Sequence, residues 1–175
     1  MSAAIRDATP AEAPALSAIA LAAGRAWGYA EADLARWRSE LTLAADLFLD
    51  GVVRVAQQGG EVRGFYALRP GRPRASLAHL WVCPGHWRRG LGRQLLADAL
   101  EEARRRGALG LEVESDPHAE AFYLRDGARR VGAVPAPTST DPARVLPRLW
   151  LDVARGRTPG GSRRGEARGG SAAAR

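Results

Sequence analysis

The chain has 175 residues, of which 46% are hydrophobic, and this is enough for one domain with its own core. Its single cysteine, Cys83, excludes an internal disulfide, and with only three histidines the chain does not support a zinc site. No stretch approaches the roughly 18 consecutive apolar residues of a membrane helix, and the first residues do not follow the pattern of a secretory leader. We therefore expect a cytoplasmic protein without a resident metal.

The net charge of +7 is concentrated near the end of the chain. All 26 basic residues are arginine, and the segment 154–175 contains six of them against one glutamate. Because this segment has few apolar residues, we predict a disordered basic tail there and a folded domain at 1–153. The tail also lacks aromatic residues that stack on bases, so nucleic acid is not an expected partner beyond a weak, salt-sensitive attraction.

Taken in chain order, the apolar periodicities predict strands interspersed with helices. Helical patterns occur at 10–23, 30–45, 90–106 and 117–125, with an interruption at 24–29 between the first two. Strand patterns occur at 3–8, 52–57, 62–68, 75–82, 111–114, 128–133 and 146–153, and Gly59 and Gly60 indicate a hairpin between the second and third. This order of elements predicts a single α/β (α+β) domain.

The most informative segment joins the fourth strand to the third helix and contains Gly90 and Gly92. Glycines allow consecutive backbone N–H groups to point inward, and the start of a helix adds unpaired donors and the positive end of its dipole, which suits a pyrophosphate. A dinucleotide-binding fingerprint needs a third glycine where this chain has Leu95, and a Walker loop needs a lysine, which the chain lacks. An ordinary strand-to-helix turn without a ligand is the alternative.

A second motif covers residues 115–128 and reads Ser-Asp-Pro-His-Ala-Glu-Ala-Phe-Tyr-Leu-Arg-Asp-Gly-Ala. It resembles a stretch of the GNAT superfamily of acyl-CoA N-acyltransferases that has Asn or Asp before Pro, then Phe-Tyr, then Gly-Phe. The pyrophosphate loop of that family reads Val-x-Pro, then Arg or Gln, then Gly-x-Gly or Gly-x-Ala. In this chain Val82, Pro84, Gly90 and Gly92 fit that pattern.

The chain departs from the family pattern at three positions: Trp87 stands in place of the Arg or Gln, Asp116 in place of the more usual Asn, and Ala128 in place of the Phe. The resemblance extends from about Ile5 to Val153. It implies the GNAT fold, which is one domain with a mixed central sheet of about seven strands, flanked by about four helices and splayed between the fourth and fifth strands.

The resemblance also implies acetyl-CoA as co-substrate, with its pantetheine arm in the splay and its pyrophosphate on the glycine loop. The acceptor implied is a primary amine, and the protein is expected to be a monomer or homodimer with no metal and no membrane partner. The cofactor-binding residues implied are Leu80, Trp81, Val82, Arg88, Arg89, Gly90, Leu91, Gly92, Arg93 and Asp116.

Acyl transfer from a thioester needs a neutral amine, a polarised carbonyl and a protonated leaving sulfur. Tyr123 matches the family's general acid, because its hydroxyl can protonate the thiolate, and a backbone N–H near Val82 would bind the developing oxyanion. Glu112 and Glu114 share one face of the fifth strand and are candidate bases, with His79 as a further candidate. Packing or solvent-facing roles are the alternative for these side chains.

Cys83 has no obvious adjacent base, so we expect direct attack rather than a covalent acyl-enzyme. The acceptor is expected near 25–29, where Trp27 and Tyr29 interrupt the helical pattern. Two other functions stay open: a CoA-binding module without turnover, and acetylation of an aminoacyl group on RNA assisted by the tail. Three acidic residues follow the interruption and would attract a cationic amine: Glu31, Asp33 and Glu40.

Overall fold

A computed structural model describes residues 3–153 and contains one seven-stranded sheet. The seven predicted strands are confirmed to within two residues at each end, and the predicted tail at 154–175 lies outside the described residues. The strands are β1 (Ala4–Asp7), β2 (Val52–Gln58), β3 (Glu61–Arg69), β4 (Arg74–Val82), β5 (Gly110–Glu114), β6 (Arg129–Pro135) and β7 (Val145–Asp152).

The described part of the chain also contains six α-helices, none of them long and apolar enough to cross a membrane. Short 3₁₀ turns at Pro10–Glu12 and Pro84–His86 follow β1 and β4. The α-helices are α1 (Ala13–Ala26), α2 (Glu31–Arg36), α3 (Arg38–Leu41), α4 (Asp46–Leu49), α5 (Leu91–Arg105) and α6 (Pro117–Arg125).

The helix predicted at 30–45 is wrong, because the chain interrupts it twice. Trp37 leaves the helical conformation between α2 and α3, and Thr42 is extended after α3. The buried carboxylate of Asp33 accepts hydrogen bonds from the backbone N–H and the hydroxyl of Ser139, at 3.0 and 2.7 Å. These two bonds join α2 to the β6–β7 loop. The direction of α2 is therefore set by a segment that is distant along the chain, and not by the apolar periodicity of 30–45.

Helix α1, by contrast, runs past its predicted end at residue 23 to Ala26. Gly24 lies inside this helix and does not end it. A Cβ at Gly24 would lie 2.7 Å from Cδ2 of Leu34. Gly24 therefore allows α2 to pack closely on α1. Glycine normally weakens a helix, but here any larger residue would clash with Leu34.

The sheet has the strand order β1-β2-β3-β4-β5-β7-β6, and β4–β5 is its parallel pair. Within the described residues β4 and β5 pair only where Arg74–Ser76 meets Gly110–Glu112. Beyond Ser76 the two strands diverge, which confirms the splay expected between the fourth and fifth strands. The opening between them is the place where the sheet exposes backbone groups on an inner strand.

An apolar layer covers each face of the sheet. Leu95 of α5 belongs to one layer and Leu16 of α1 to the other. Side chains alternate along a strand, so Leu80 and Val82 pack with the α5 layer while Trp81 packs with the α1 layer. The end of β4 therefore contributes side chains to both sides of the splay.

Candidate active site

In the second half of β4, no neighbouring strand pairs with the backbone edge that faces the splay. The N–H of Cys83 donates to the carbonyl of Arg63 at 2.9 Å, on the β3 side of the strand. Because backbone groups alternate in direction along a strand, the N–H groups of Leu80 and Val82 point away from β3, into the splay. An extended ligand that contains amide groups can bind to such an edge as an added strand does.

The loop that follows β4 contains a row of free backbone N–H groups. Within residues 3–153, none of the amides from Arg88 to Arg93 donates a hydrogen bond to the protein. Arg88 and Gly90 have left-handed backbone angles, with φ of 62° and 82°. Such turns direct neighbouring N–H groups to one side, and the 15-residue helix α5 adds the positive end of its dipole. We call this row of amides the anion cradle.

The anion cradle opens into a cleft of about 450 Å³ between β4, α5 and α6. Of the predicted cofactor-binding residues, Arg89, Leu91 and Asp116 do not line this cleft. The side chain of Leu91 is buried in the core, and Asp116 lines a smaller pocket nearby. The cofactor-binding residues expected from the sequence that do line it are Leu80, Trp81, Val82, Arg88, Gly90, Gly92 and Arg93.

The cleft also has a wall from α6 that the sequence analysis did not assign to the site. Its residues recur at helical spacing from Tyr123, on one face of α6, and that spacing from a predicted site residue was the signal that could have identified them. They are His118, Ala119, Phe122 and Arg125, together with the predicted Tyr123 and with Asp126, which directly follows the helix.

The mouth of the cleft is positively charged. Arg88 and Arg125 line it and have no ion-pair partner within residues 3–153. Arg93 donates to a carboxylate oxygen of Asp126 at 2.8 Å. Two arginines without carboxylate partners, next to a row of free amides, form a site that favours a doubly charged anion.

A smaller pocket of about 60 Å³ lies in the splay beside the cleft. We call it the splay pocket. Its lining includes four polar residues: His79, Glu114, Ser115 and Asp116. The residues that line both cavities are Trp27, Leu80, Trp81, Ala119 and Tyr123. A ligand in the cleft and a second ligand in the splay pocket would therefore meet at the same few side chains.

Tyr123 lies where the two cavities meet and is only 4% exposed. Its ring packs edge-on against Phe122, with 4.9 Å between the ring centroids. Its hydroxyl makes no hydrogen bond to any of residues 3–153, and burial raises its pKa above the ordinary value of tyrosine. The hydroxyl is therefore protonated near pH 7 and is free to donate to a ligand.

Strand β5 directs Glu112 and Glu114 to one face but into different surroundings. Glu112 forms ion pairs with Arg148 and with Arg74, the latter at 3.8 Å, and it lines neither cavity. Glu114 lines the splay pocket with Tyr123, and its carboxylate lies 3.8 Å from the Nε of Arg148. Of the two glutamates, Glu114 is the one that can face a ligand in the splay.

His79 reaches the splay pocket from β4, but its acceptor nitrogen is engaged. The Nδ1 of His79 accepts a hydrogen bond from the indole of Trp81 at 3.2 Å. Burial lowers the pKa of His79 to about 4, with a smaller contribution from the charge of Arg69, so the ring is neutral near pH 7. Its remaining nitrogen then carries a proton and cannot accept one. Cys83 lies outside both cavities, and burial raises the pKa of its thiol.

The carboxylate of Asp116 is held by protein groups from three segments. It accepts hydrogen bonds from the backbone N–H of His118 at 2.9 Å, from the hydroxyl of Tyr29 at 2.8 Å and from Arg144 at 2.7 Å. The guanidinium of Arg144 also lies over the rings of Tyr29 and Trp37, 5.0 and 4.8 Å from their centroids. This group, the Asp116 clasp, joins the α1–α2 turn, the start of α6 and the β6–β7 loop.

The segment 25–29 does reach the site, through Trp27. The Trp27 ring lies between Trp87 and His118, with centroid distances of 5.9 and 5.6 Å, and it is tilted against Trp81 at 5.5 Å. These four rings come from the end of α1, the end of β4, the loop before α5 and the start of α6. Trp27 therefore closes one side of the splay.

The three acidic residues that follow this segment do not line either cavity. Glu31 pairs with Arg25 at 2.6 Å. Asp33 is buried and bonded to Ser139, and Glu40 is exposed on α3. A cationic ligand in the splay would accordingly encounter Glu114 rather than these side chains.

The sequence model of the Acetyltransferase (GNAT) family matches residues 16–128, a stretch that includes β4, the anion cradle and α6. The chain belongs to the GNAT acetyltransferase family. The fold expected from the resemblance is confirmed, since this GNAT protein has a mixed seven-stranded sheet that is splayed between β4 and β5.

Three solved structures illustrate the likeness. A GCN5-related N-acetyltransferase from Rhodopseudomonas palustris has 24% identity and a TM-score of 0.68, over 87% of this chain and 96% of its own. The PaiA N-acetyltransferase from Thermoplasma acidophilum, in complex with coenzyme A, has 18% identity and a TM-score of 0.66, over 87% and 99%. The yncA protein from Salmonella typhimurium, with its cofactor acetyl-CoA, has 21% identity and a TM-score of 0.65, over 92% and 99%. Likeness at this identity shows a shared fold.

Proposed function

We propose that this GNAT protein transfers an acetyl group from acetyl-CoA to a primary amine, by direct attack of the amine on the thioester. The observation that supports this most strongly is the alignment of three features along one cleft: the anion cradle, the unpaired edge of β4 and the buried hydroxyl of Tyr123. The first suits a pyrophosphate, the second an arm that contains amides, and the third a leaving sulfur. Coenzyme A carries these three groups in that order.

The cofactor-binding part of the proposal follows from the free donors in the cleft. The amides from Arg88 to Arg93 would bind the pyrophosphate, with Arg88 and Arg125 adding charge at the mouth. The N–H and carbonyl of Leu80 would bind the pantetheine arm as a neighbouring strand does, since the carbonyl of Val82 already accepts a hydrogen bond from Trp87. The PaiA and yncA proteins, which were solved with coenzyme A and acetyl-CoA, support the choice of ligand through the shared fold.

The catalytic part assigns one role to each group in the splay. Glu114 takes a proton from the arriving ammonium, directly or through a water molecule. The amine nitrogen then attacks, an N–C bond forms, and the N–H of Val82 donates to the oxyanion. As the C–S bond breaks, Tyr123 protonates the sulfur and CoA leaves as the thiol. The second proton that the nitrogen loses restores the Tyr123 hydroxyl.

The test combines binding and turnover in one sample. Calorimetric titration with acetyl-CoA is followed by measurement of thiol release with a panel of amines, polyamines, aminoglycosides and peptide N-termini. Tyr123→Phe should bind acetyl-CoA normally and lower kcat by about 10²-fold, because it removes the acid without changing the ring. Tyr66→Phe is the matched control, since it removes a buried hydroxyl that is bonded to Asp98 at 2.7 Å outside the cleft.

Two outcomes would contradict the proposal. A folded protein that does not bind acetyl-CoA would exclude the cofactor, and the anion cradle would then be an ordinary turn. Binding without thiol release from any amine would favour the alternative of a CoA-binding module. Equal turnover by wild type and Tyr123→Phe would remove Tyr123 from the mechanism while leaving the transfer reaction in place.

A further inference from the structure

The Asp116 clasp lies next to the site, but most of it touches neither cavity. Tyr29 and Arg144 line neither the cleft nor the splay pocket, and Asp116 lines only the splay pocket. The side chains of Asp116 and Arg144 are only 14% and 9% exposed. A buried ion pair adds little net stability, because the cost of removing both charges from water offsets their attraction. What such a pair does fix is the relative position of the segments that it joins.

The guanidinium of Arg144 is held in one position, because each of its three nitrogens donates a hydrogen bond. Nη1 donates to the carbonyl of Ala136, on its own loop, at 3.0 Å. Nη2 donates to Asp116 at 2.7 Å, and Nε donates to the hydroxyl of Tyr29 at 3.1 Å. Burial, and then the hydrogen bond to Asp116, raise the pKa of Tyr29 to about 12, so this hydroxyl keeps its proton and donates to Asp116 at neutral pH.

The clasp reaches the Trp27 ring by two routes. Along the chain, Gly28 alone separates Tyr29 from Trp27, and its φ of 87° gives the turn a conformation that needs an anchor on each side. Through space, the ring of His118 stacks on Trp27 at 5.6 Å and meets Tyr29 edge-on at 5.5 Å. The backbone N–H of His118 is itself bonded to Asp116 at 2.9 Å. The position of the Trp27 ring therefore depends on both ends of the clasp.

We infer that Arg144 and Tyr29 are positioning residues for the acceptor, which hold the Trp27 ring at the place where the amine meets the thioester. The inference rests on the proposed acetyl transfer and adds to it two side chains that touch neither ligand. Trp27 is the ring through which they act, since it lines both cavities. A displacement of about 1 Å in a group that orients a substrate can lower a rate by as much as about 10²-fold.

The first experiment measures thiol release by full-length Arg144→Met, with the most rapidly acetylated member of the amine panel. We expect kcat/KM for the amine to fall by about tenfold or more. The Kd for acetyl-CoA should change by less than about twofold, because the hydrogen bonds of Arg144 involve neither the anion cradle nor β4. Tyr29→Phe keeps the ring and loses only the hydroxyl, so a smaller fall is expected, and this variant replaces Arg144→Met if the latter does not fold.

Each variant has a matched control on the other side of α5. Arg54→Met removes the cation that lies 3.0 Å from a carboxylate oxygen of Asp98, and Tyr66→Phe removes the hydroxyl bonded to the same carboxylate at 2.7 Å. These side chains line neither cavity. Both controls should lose stability and keep the kcat/KM of wild type. An equal fall in the controls would show a general effect of destabilisation and overturn the inference.

A double-mutant cycle tests whether Arg144 acts through Trp27. Trp27 is half-exposed at the end of α1, and Trp27→Ala should lower kcat/KM on its own. Adding Arg144→Met to Trp27→Ala should lower kcat/KM by less than about twofold further, because the ring that Arg144 holds is no longer present. The Tm should still fall. A purely structural role of Arg144 would lower the Tm without this dependence of kcat/KM on Trp27.

The remaining outcomes separate the inference from the proposed function. Unchanged kcat/KM in folded Arg144→Met and Tyr29→Phe, or full additivity with Trp27→Ala, would overturn the inference and leave acetyl transfer standing. A rise in the Kd for acetyl-CoA of about tenfold would show that the clasp supports the cofactor and not the acceptor. No thiol release by wild type saturated with acetyl-CoA would overturn the proposed function and the inference with it.

Discussion

The indole Nε1 of Trp87 donates a hydrogen bond to the carbonyl oxygen of Val82 at 2.7 Å. This bond ties the loop before α5 back to the end of β4, on the strand edge that faces the splay. Trp87 stands where the pyrophosphate loop of the family usually has Arg or Gln. In this chain the residue therefore supports the loop, and the free amides from Arg88 to Arg93 start from a fixed point.

Trp87→Phe keeps an aromatic ring and removes this hydrogen bond. We expect the free energy of unfolding to fall by about 1 kcal/mol and the Kd for CoA to rise by up to about tenfold, because the anion cradle becomes less well ordered. Urea denaturation and calorimetry measure the two effects. Trp150→Phe is the control, since it loses a bond to Asp152 at 2.7 Å away from the cleft. A rise in Kd in both variants would contradict the role of Trp87.

Gly92→Glu should prevent CoA binding. A Cβ at Gly92 would lie 3.5 Å from the Phe122 ring, so the backbone accepts a side chain there, but its carboxylate would stand in the cleft. Repulsion of the pyrophosphate should raise the Kd by more than about 10²-fold. Gly85→Glu adds the same charge at an exposed position that does not line the cleft and should bind CoA normally. Normal affinity for CoA in a folded Gly92→Glu protein would show that the anion cradle does not bind the pyrophosphate.

The two glutamates of β5 should differ in their effect on rate. Glu114→Gln removes the proposed base and should lower kcat by about 10²-fold at neutral pH, with the deficit shrinking as the pH rises and the amine loses its proton unaided. Glu112→Gln loses partly exposed ion pairs, so it should cost at most about 1 kcal/mol of stability and leave kcat unchanged. The pH–rate profiles of both variants measure this. The reverse order of effects would assign the base to Glu112.

The stability of the domain should depend on the protonation of His79. The pKa of His79 falls from its ordinary value of 6.5 to about 4 on folding, with burial as the main cause. Above pH 6.5 the ring is neutral in both states. As the pH falls toward 4, the unfolded chain binds a proton at His79 that the folded protein does not bind. The free energy of unfolding therefore falls, by up to about 3 kcal/mol. Below pH 4 the loss levels off.

Urea denaturation of wild type and His79→Gln between pH 7 and pH 4 tests this dependence. The variant removes the titrating group and keeps an acceptor for Trp81, so its free energy of unfolding should decline less across this window than that of wild type. Parallel curves for the two proteins would show that His79 does not control the acid sensitivity.

Arg144→Met should destabilise the Asp116 clasp. It leaves the carboxylate of Asp116 in a largely buried place without its cation, at a cost of about 3 kcal/mol. The double variant Arg144→Met with Asp116→Asn removes the charge as well and should recover part of that loss. CoA affinity should not change in either protein, because Asp116 lies outside the cleft. Thermal unfolding and calorimetry together measure the two expectations, and additive destabilisation in the double variant would contradict the ion pair.

Local patterns account for the elements that the sequence analysis identified correctly. The hairpin between β2 and β3 follows from alternating apolar residues around Gly59 and Gly60, which both have positive φ. The helix at 30–45 was misassigned because its apolar spacing is helical, whereas Asp33 bonds to Ser139, 106 positions away. Apolar spacing carries no information about such a partner.

The sequence by itself determined the family, the succession of strands along the chain and the position of the anion cradle, because each depends on residues that are close along the chain. Apolar periodicity, a glycine that takes a positive φ and the start of a helix are all local. Only the tertiary structure decided that Glu114 rather than Glu112 faces the splay, and that Trp27 closes it. Asp116 likewise meets Tyr29 across 87 positions, and such contacts depend on how distant elements pack.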